Sequence, residues 1–165
     1  MNSSLKSTIV ALGVVFGIGT SSIAENSNKD IVETAAASGK FTILVQALQT
    51  TGLNKTLKEK GPFTVFAPDD AAFAKIPSTA LNDILGNKPR LLNLLKFHVV
   101  RASVDAREAA RVGTVQTLEG DVLAIQKDGK NLKVESATVT GPDIPCKNGI
   151  IYVVDTVLQP TDKMQ

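Results

Sequence analysis

Near the end of the chain, Ile150-Ile-Tyr-Val-Val154 runs apolar without alternation. A strand with one face in water alternates apolar and polar side chains, so an unbroken run of this kind reads as a strand covered on both faces. Asn148-Gly149 just before it predicts a tight turn with positive φ angles, and Pro160 ends the segment. An earlier piece has the same character. Gly61-Pro62 predicts a turn, Phe63 to Ala67 a short apolar strand, and Pro68-Asp69-Asp70 the start of a helix that Asp69 or Asp70 caps.

The rest of the first half has the period of helices. Asn28 or Ser27 is the expected cap of a first helix through Ala37, with Gly39 as its stop. Phe41, Leu44, Val45 and Leu48 then recur at helix spacing until Gly52, and a short helix carries Leu53 and Leu57. After the first apolar strand, one helix bears Phe73 and Ile76; Ser78 is the expected cap of another with Leu81, Ile84 and Leu85, closed by Gly86. Pro89 opens a further helix with Leu91, Leu94, Leu95 and His98 on one face, so His98 is expected to point into the core. Asp105 and Glu108 resemble a capping box for a helix over Ala106 to Arg111.

Beyond Val112 the period becomes that of strands. Val112 to Leu118, Val122 to Gln126, Leu132 to Val134 and Ala137 to Thr140 are the expected strands, with turns at Glu119-Gly120 and Asp128-Gly129. Gly141-Pro142-Asp143 and Pro145 form a loop before the last strand. Helices first and strands second, with no repeat or linker, predict one α+β domain.

The first 24 residues stand apart. Lys6, the apolar run from Ile9 to Ile18 and the small residues of Ser22-Ile23-Ala24 read as a signal peptide cleaved after Ala24. An uncleaved anchor is the competing reading, but Gly13, Gly17, Gly19 and Thr20-Ser21-Ser22 shorten the hydrophobic part well below the roughly 20 residues of a span. Residues 25–165 are then the working domain, with a core at about 30–160, secreted or periplasmic and without a stable membrane span. A formal net charge of +2 with mixed signs lacks the basic stripe that nucleic-acid binding needs. Cys146 is the only cysteine, so no internal disulfide can hold the fold, and it reads as a half-buried thiol beside a turn.

The reactive side chains are sparse. One His and one Cys show no metal-ligand spacing, no Ser sits in a nucleophile-elbow context, and no glycine loop cradles a phosphate. The expectation is therefore no catalytic residue, no cofactor and no metal. Asp69-Asp70 could hold a divalent cation, but adjacent carboxylates at a helix start diverge, and capping is the favoured reading. His98 on an apolar stripe reads as a core histidine bonded to a backbone carbonyl or to a carboxylate, for which Asp69 or Asp70 is a candidate.

The stretches Gly61-Pro-Phe-Thr-Val-Phe-Ala-Pro-Asp-Asp-Ala-Ala-Phe73 and Asn148-Gly-Ile-Ile-Tyr-Val-Val-Asp-Thr-Val-Leu-Gln-Pro160, with Phe97-His98 between them, resemble the signature segments of a fasciclin (FAS1) domain over roughly Asp30 to Pro160. That resemblance implies a wedge of two small packed sheets with helices gathered around it. It also implies an adhesion or interaction module whose partner is an envelope or extracellular protein or polysaccharide. Family members carry a Tyr-His pair tied to adhesion where this chain has Phe97-His98, without the hydroxyl. Animal matrix members carry a Glu-Pro-Asp-Ile-Met segment tied to integrin binding; Pro142-Asp143-Ile144 aligns with its centre, while Gly141 and Pro145 replace its ends. Tyr152 stands where many members have His. The candidate partner-binding residues are Asp143, Ile144, Phe97 and His98, and the structural motif is Asp69, Asp70, Asn148 and Gly149. A rival class is a periplasmic carrier of a small apolar ligand. A chain 43% hydrophobic, with one Tyr and no Trp, would line a Leu/Ile/Val/Phe cavity if its helices left one.

Overall fold

The computed structural model describes residues 28–160, so the expected signal segment and its cleavage point at Ala24 lie outside the described residues. The helices are α1 (Ile31–Ser38), α2 (Thr42–Thr51), α3 (Leu53–Leu57), α4 (Asp70–Ala74), α5 (Ser78–Gly86), α6 (Lys88–Phe97) and α7 (Ala106–Val112). The strands are β1 (Phe63–Pro68), β2 (Val99–Val100), β3 (Thr114–Gln116), β4 (Val122–Asp128), β5 (Asn131–Val134), β6 (Ala137–Thr138), β7 (Ile144–Cys146) and β8 (Gly149–Val154). They form two four-stranded sheets, ordered β2-β1-β8-β7 and β3-β4-β5-β6.

At the centre, β1 and β8 pair in parallel from Phe63↔Gly149 to Pro68↔Val154. Parallel pairs require cover on both faces, and the unalternating apolar runs supply what that cover needs. Phe63, Val65, Ala67 and Ile151 pack among the helices with Phe41, Leu44, Leu57 and Leu91. The opposite face, with Phe66, Tyr152 and Val154, packs on Leu123, Ile125 and Val134 of the second sheet. The order of layers is thus helices, first sheet, second sheet: the α+β class that the sequence predicts, in the wedge form that the family resemblance implies. The two sheets are joined along their sides by a Val139↔Val154 bridge and by Leu118 N–H donating to the Val99 carbonyl at 2.7 Å.

The turn before β8 works differently from its sequence reading. Neither Asn148 nor Gly149 has a positive φ. Instead, the Asn148 side chain accepts from Ile31 N–H at 3.1 Å and donates to the carbonyls of Leu57 at 2.6 Å and Glu59 at 3.0 Å. Its own carbonyl accepts from Phe63 N–H at 3.0 Å. One amide therefore ties the start of α1, the end of α3 and the mouth of the parallel pair. Glycine is required at 149 because a Cβ there would run into the Phe63 carbonyl and lie 2.8 Å from Ile31 Cδ1; a Cβ on Gly61 would run into the Asn148 carbonyl.

Other local expectations are corrected. The cap of α1 is Asp30, in a reciprocal capping box with Glu33, and not Asn28; Ser27 lies outside the described residues. Ser78 lies inside α5, whose cap position is Pro77 and has no side-chain bond. Asp105 caps α7 through Arg107 N–H at 2.7 Å, whereas Glu108 pairs with Arg111 and leaves the box half made. Val112 ends that helix at 61% exposure; Gly113 at φ +83 turns the chain, so β3 starts only at Thr114. Val139 and Thr140 fall outside β6. Ile144 to Cys146, expected as loop, is the edge strand β7.

Asn148→Ala should lower unfolding stability by about 2–4 kcal/mol, because it orphans two carbonyls and one N–H at a partly buried junction. Gly149→Ala should do comparable damage by forcing β8 away from β1. Urea denaturation of both variants checks this; a loss under about 0.5 kcal/mol for either would remove the junction from the fold's essential contacts.

Candidate functional site

The structure disperses the polar residues that the sequence singles out. Asp69 caps α4, accepting from Ala72 N–H at 2.8 Å. Asp70 faces the other way: its carboxylate accepts from Ile43 N–H at 3.0 Å, at the start of α2, and its own N–H donates to the Lys40 carbonyl at 2.9 Å. Phe41, the cap residue of α2, makes no side-chain cap bond, so Asp70 supplies it from 27 positions away. No local signal could announce this, because the donor and acceptor meet only after β1 has crossed the helices. Among the described residues no group of three or more His, Cys, Asp or Glu lies close enough to hold a metal ion.

His98, at the end of α6, is 2% exposed. Nδ1 lies 2.8 Å from the Leu94 carbonyl and Nε2 lies 2.9 Å from Leu158 N–H. A carbonyl can only accept and an N–H can only donate, so the proton sits on Nδ1 and the ring is neutral. Burial lowers its pKa from 6.5 to about 4, against the opposing pull of the Leu94 carbonyl. The carboxylate partner considered from sequence is absent: Asp69 and Asp70 cap helices, and both ring nitrogens bond to backbone. Phe97 is also buried, beside Phe66 and Tyr152. Neither residue of the Phe97-His98 pair presents a surface. His98 ties Leu158 to the end of α6. Tyr152 stacks on Phe66 with ring centroids 5.7 Å apart and donates its hydroxyl to the Val104 carbonyl at 2.9 Å.

Asp143 is exposed, between Pro142 and the edge strand, and Gly141 turns the chain there at φ +93. Ile144 is half-buried, pairs with Ile151 and packs on the helix-side core. Of the expected Asp-Ile pair, Asp143 is exposed and Ile144 is partly covered. Cys146 is half-buried, and burial raises its pKa, with the Thr34 hydroxyl opposing and Asp30 reinforcing the shift. Such a thiol is a poor nucleophile.

Two open clefts flank these features. One of about 700 Å³ lies at the Asn148 junction and is lined by Asp30, Glu33, Lys58, Glu59, Lys60 and Lys147. Another, of about 350 Å³, is lined by Asn87, Arg90, Asn93, Glu119 and Asp121 together with Ile84 and Leu94. In both clefts the charged and amide groups share the walls with apolar side chains.

Residues 39–160 match a family model described as the fasciclin domain. The uncharacterized protein sll1735 of Synechocystis sp. is 40% identical over 129 residues, which span 78% of this chain and 96% of that protein. The transforming growth factor-beta-induced protein ig-h3 of Sus scrofa is 32% identical over 79% of this chain, which spans only 19% of that protein. Among solved structures, a FAS1 domain pair from the insect cell adhesion molecule fasciclin I matches with a TM-score of 0.68 at 16% identity, over 81% of this chain and 52% of that one.

A buried neutral His98 makes stability depend on pH with a definite sign. The unfolded chain takes up a proton near pH 6.5 and the folded chain only near 4, so stability is complete above the first value and falls as pH drops towards the second. Between pH 7 and pH 5 the loss should be about 2 kcal/mol. His98→Ala, at a cost of about 1–3 kcal/mol at neutral pH, should flatten that slope. Urea melts at both pH values test it, and an unchanged slope in the variant would place the titration elsewhere.

Proposed function

The chain belongs to the fasciclin domain family, and we propose that it serves as an exported adhesion or protein-interaction module with no reaction of its own. One observation carries this reading. The polar side chains that could have performed chemistry, Asp69, Asp70, His98, Tyr152 and Asn148, have polar atoms engaged in closing backbone bonds. What remains available is surface. Asp143 is displayed there on a short turn between Pro142 and an edge strand that itself contains Pro145. A side chain presented on so restricted a backbone can bind with little ordering cost. The structural likeness to an insect cell adhesion molecule supports the same role.

In this reading residues 1–24 are a leader, residues 25–165 the working domain, and the partner is an envelope or extracellular protein or polysaccharide outside the cytoplasm. Protein recovered from the periplasm or medium should begin at Glu25. N-terminal sequencing checks it, and an intact Met1 in a membrane pellet would refute export with processing.

Asp143→Ala should leave stability within about 0.5 kcal/mol, as exposed loop positions do, and weaken attachment to isolated cell envelope. Ile144→Ala should cost about 1–2 kcal/mol, since a half-buried side chain leaves the core. Full attachment by a folded Asp143→Ala protein would exclude that side chain as a contact.

A further inference from the structure

Among the described residues, three of the four sheet edges are blunted or at least partly bonded. On β7, Pro145 has no N–H to offer, and Lys147 N–H donates to the Lys29 carbonyl at 2.8 Å. On β6, Thr138 N–H bonds the Asp155 carboxylate at 2.9 Å, and the Thr138 carbonyl accepts from Asp155 N–H at 3.1 Å. The outward carbonyl of β2, on Val99, is taken by Leu118 N–H.

The edge of β3 is different. Ile125 N–H donates to the Gly113 carbonyl and Thr117 N–H to the Asp121 carbonyl, so the odd-numbered residues of this segment make the ladder to β4. In an antiparallel pair the alternate residues then point away. The main-chain groups of Thr114 and Gln116 do so, and they have no backbone partner among the described residues. No proline or charged residue blunts this edge. It opens on a groove of about 520 Å³ whose walls are Val115 to Leu118 on one side and Val100, Arg101, Ala102 and Val104 on the other. Thr117, 5% exposed on that wall, has a hydroxyl without a hydrogen-bond partner. Arg101 is the charged residue of the lining, with no carboxylate in ion-pair reach among the described residues.

We propose that this groove takes an extended segment of a partner protein as an added strand on β3, with an acidic side chain opposite Arg101. The proposal rests on the interaction role above and gives it a site and a partner chemistry. Main-chain donors and acceptors spaced two residues apart match another strand, alternating small apolar side chains suit the valine walls, and a lone cation with no nearby anion selects a carboxylate.

The probe is a short synthetic peptide of alternating Thr and Val with one central Asp, titrated into the mature protein labelled with nitrogen-15. The Thr114 and Gln116 amide signals should shift and become protected from exchange. A peptide with Lys in place of Asp should bind about tenfold more weakly, and Arg101→Glu should invert that preference. A peptide methylated on alternate backbone nitrogens should not bind. Gln116→Pro removes an outward N–H without touching the ladder to β4. Val115 before it is already extended, as proline requires of its predecessor. The variant should keep its melting curve and lose about tenfold or more in peptide affinity. If Gln116→Pro fails to fold, the inversion by Arg101→Glu remains decisive. Absence of shifts at Thr114 and Gln116, or equal binding of the methylated peptide, would overturn the groove as a strand-binding site. Attachment of the unmodified protein to isolated envelope is measured alongside: intact attachment with no peptide response removes the groove alone, whereas lost attachment removes the interaction role.

Discussion

The side-chain amide of Asn148 sits where the rest of the structure converges. A parallel pair cannot be closed by a hairpin, so β1 and β8, far apart in sequence, must be aligned by something at their common end. Asn148 provides that alignment by bonding the first turn of α1, the last carbonyl of α3 and a carbonyl beyond it, while its backbone receives Phe63 N–H. Gly61 and Gly149 let the two backbones approach closely enough for this to happen. Once the register Phe63↔Gly149 is set, every later pair follows, and with it the division of side chains between the helix-side and sheet-side cores.

The same economy explains why the conspicuous polar residues are structural. Short helices expose many unsatisfied backbone groups relative to their length, and a wedge with seven of them among the described residues must find partners for those groups inside a single small domain. Asp69 serves the helix it begins, and Asp70 serves a helix far upstream. His98 links the end of α6 to Leu158, and Tyr152 links β8 to the segment before α7. Each is a polar group whose bond partners are backbone atoms, an arrangement that stabilises a particular tertiary geometry.

In the proposed interaction role, function falls to the perimeter. The edge at β7 is blunted by Pro145 and displays Asp143 at its start, the edge at β6 is closed by Asp155, and the edge at β3 is open. Proteins usually protect such edges against uncontrolled pairing. An unprotected edge of only three residues, set in a groove, is short enough to resist aggregation and still able to receive a strand of matching chemistry.

Much of this was decided locally. The unalternating runs at Phe63 to Ala67 and Ile150 to Val154, the helical spacing of Leu91, Leu94, Leu95 and His98, and the Asp128-Gly129 turn follow from side-chain period and backbone chemistry. The sequence by itself therefore determined an α+β domain with two doubly covered strands and an inward His98. Tertiary structure alone decided the partners of long-range bonds. That Asp70 caps α2, that His98 holds Leu158 instead of a carboxylate, that Asn148 acts through its side chain and not through a left-handed turn, and that Ile144 joins a sheet edge all depend on which segments become neighbours. Periodicity reports which face of an element is apolar. It carries no information about which distant N–H or carbonyl will lie within about 3 Å of a given side chain, because that distance exists only after the layers have packed.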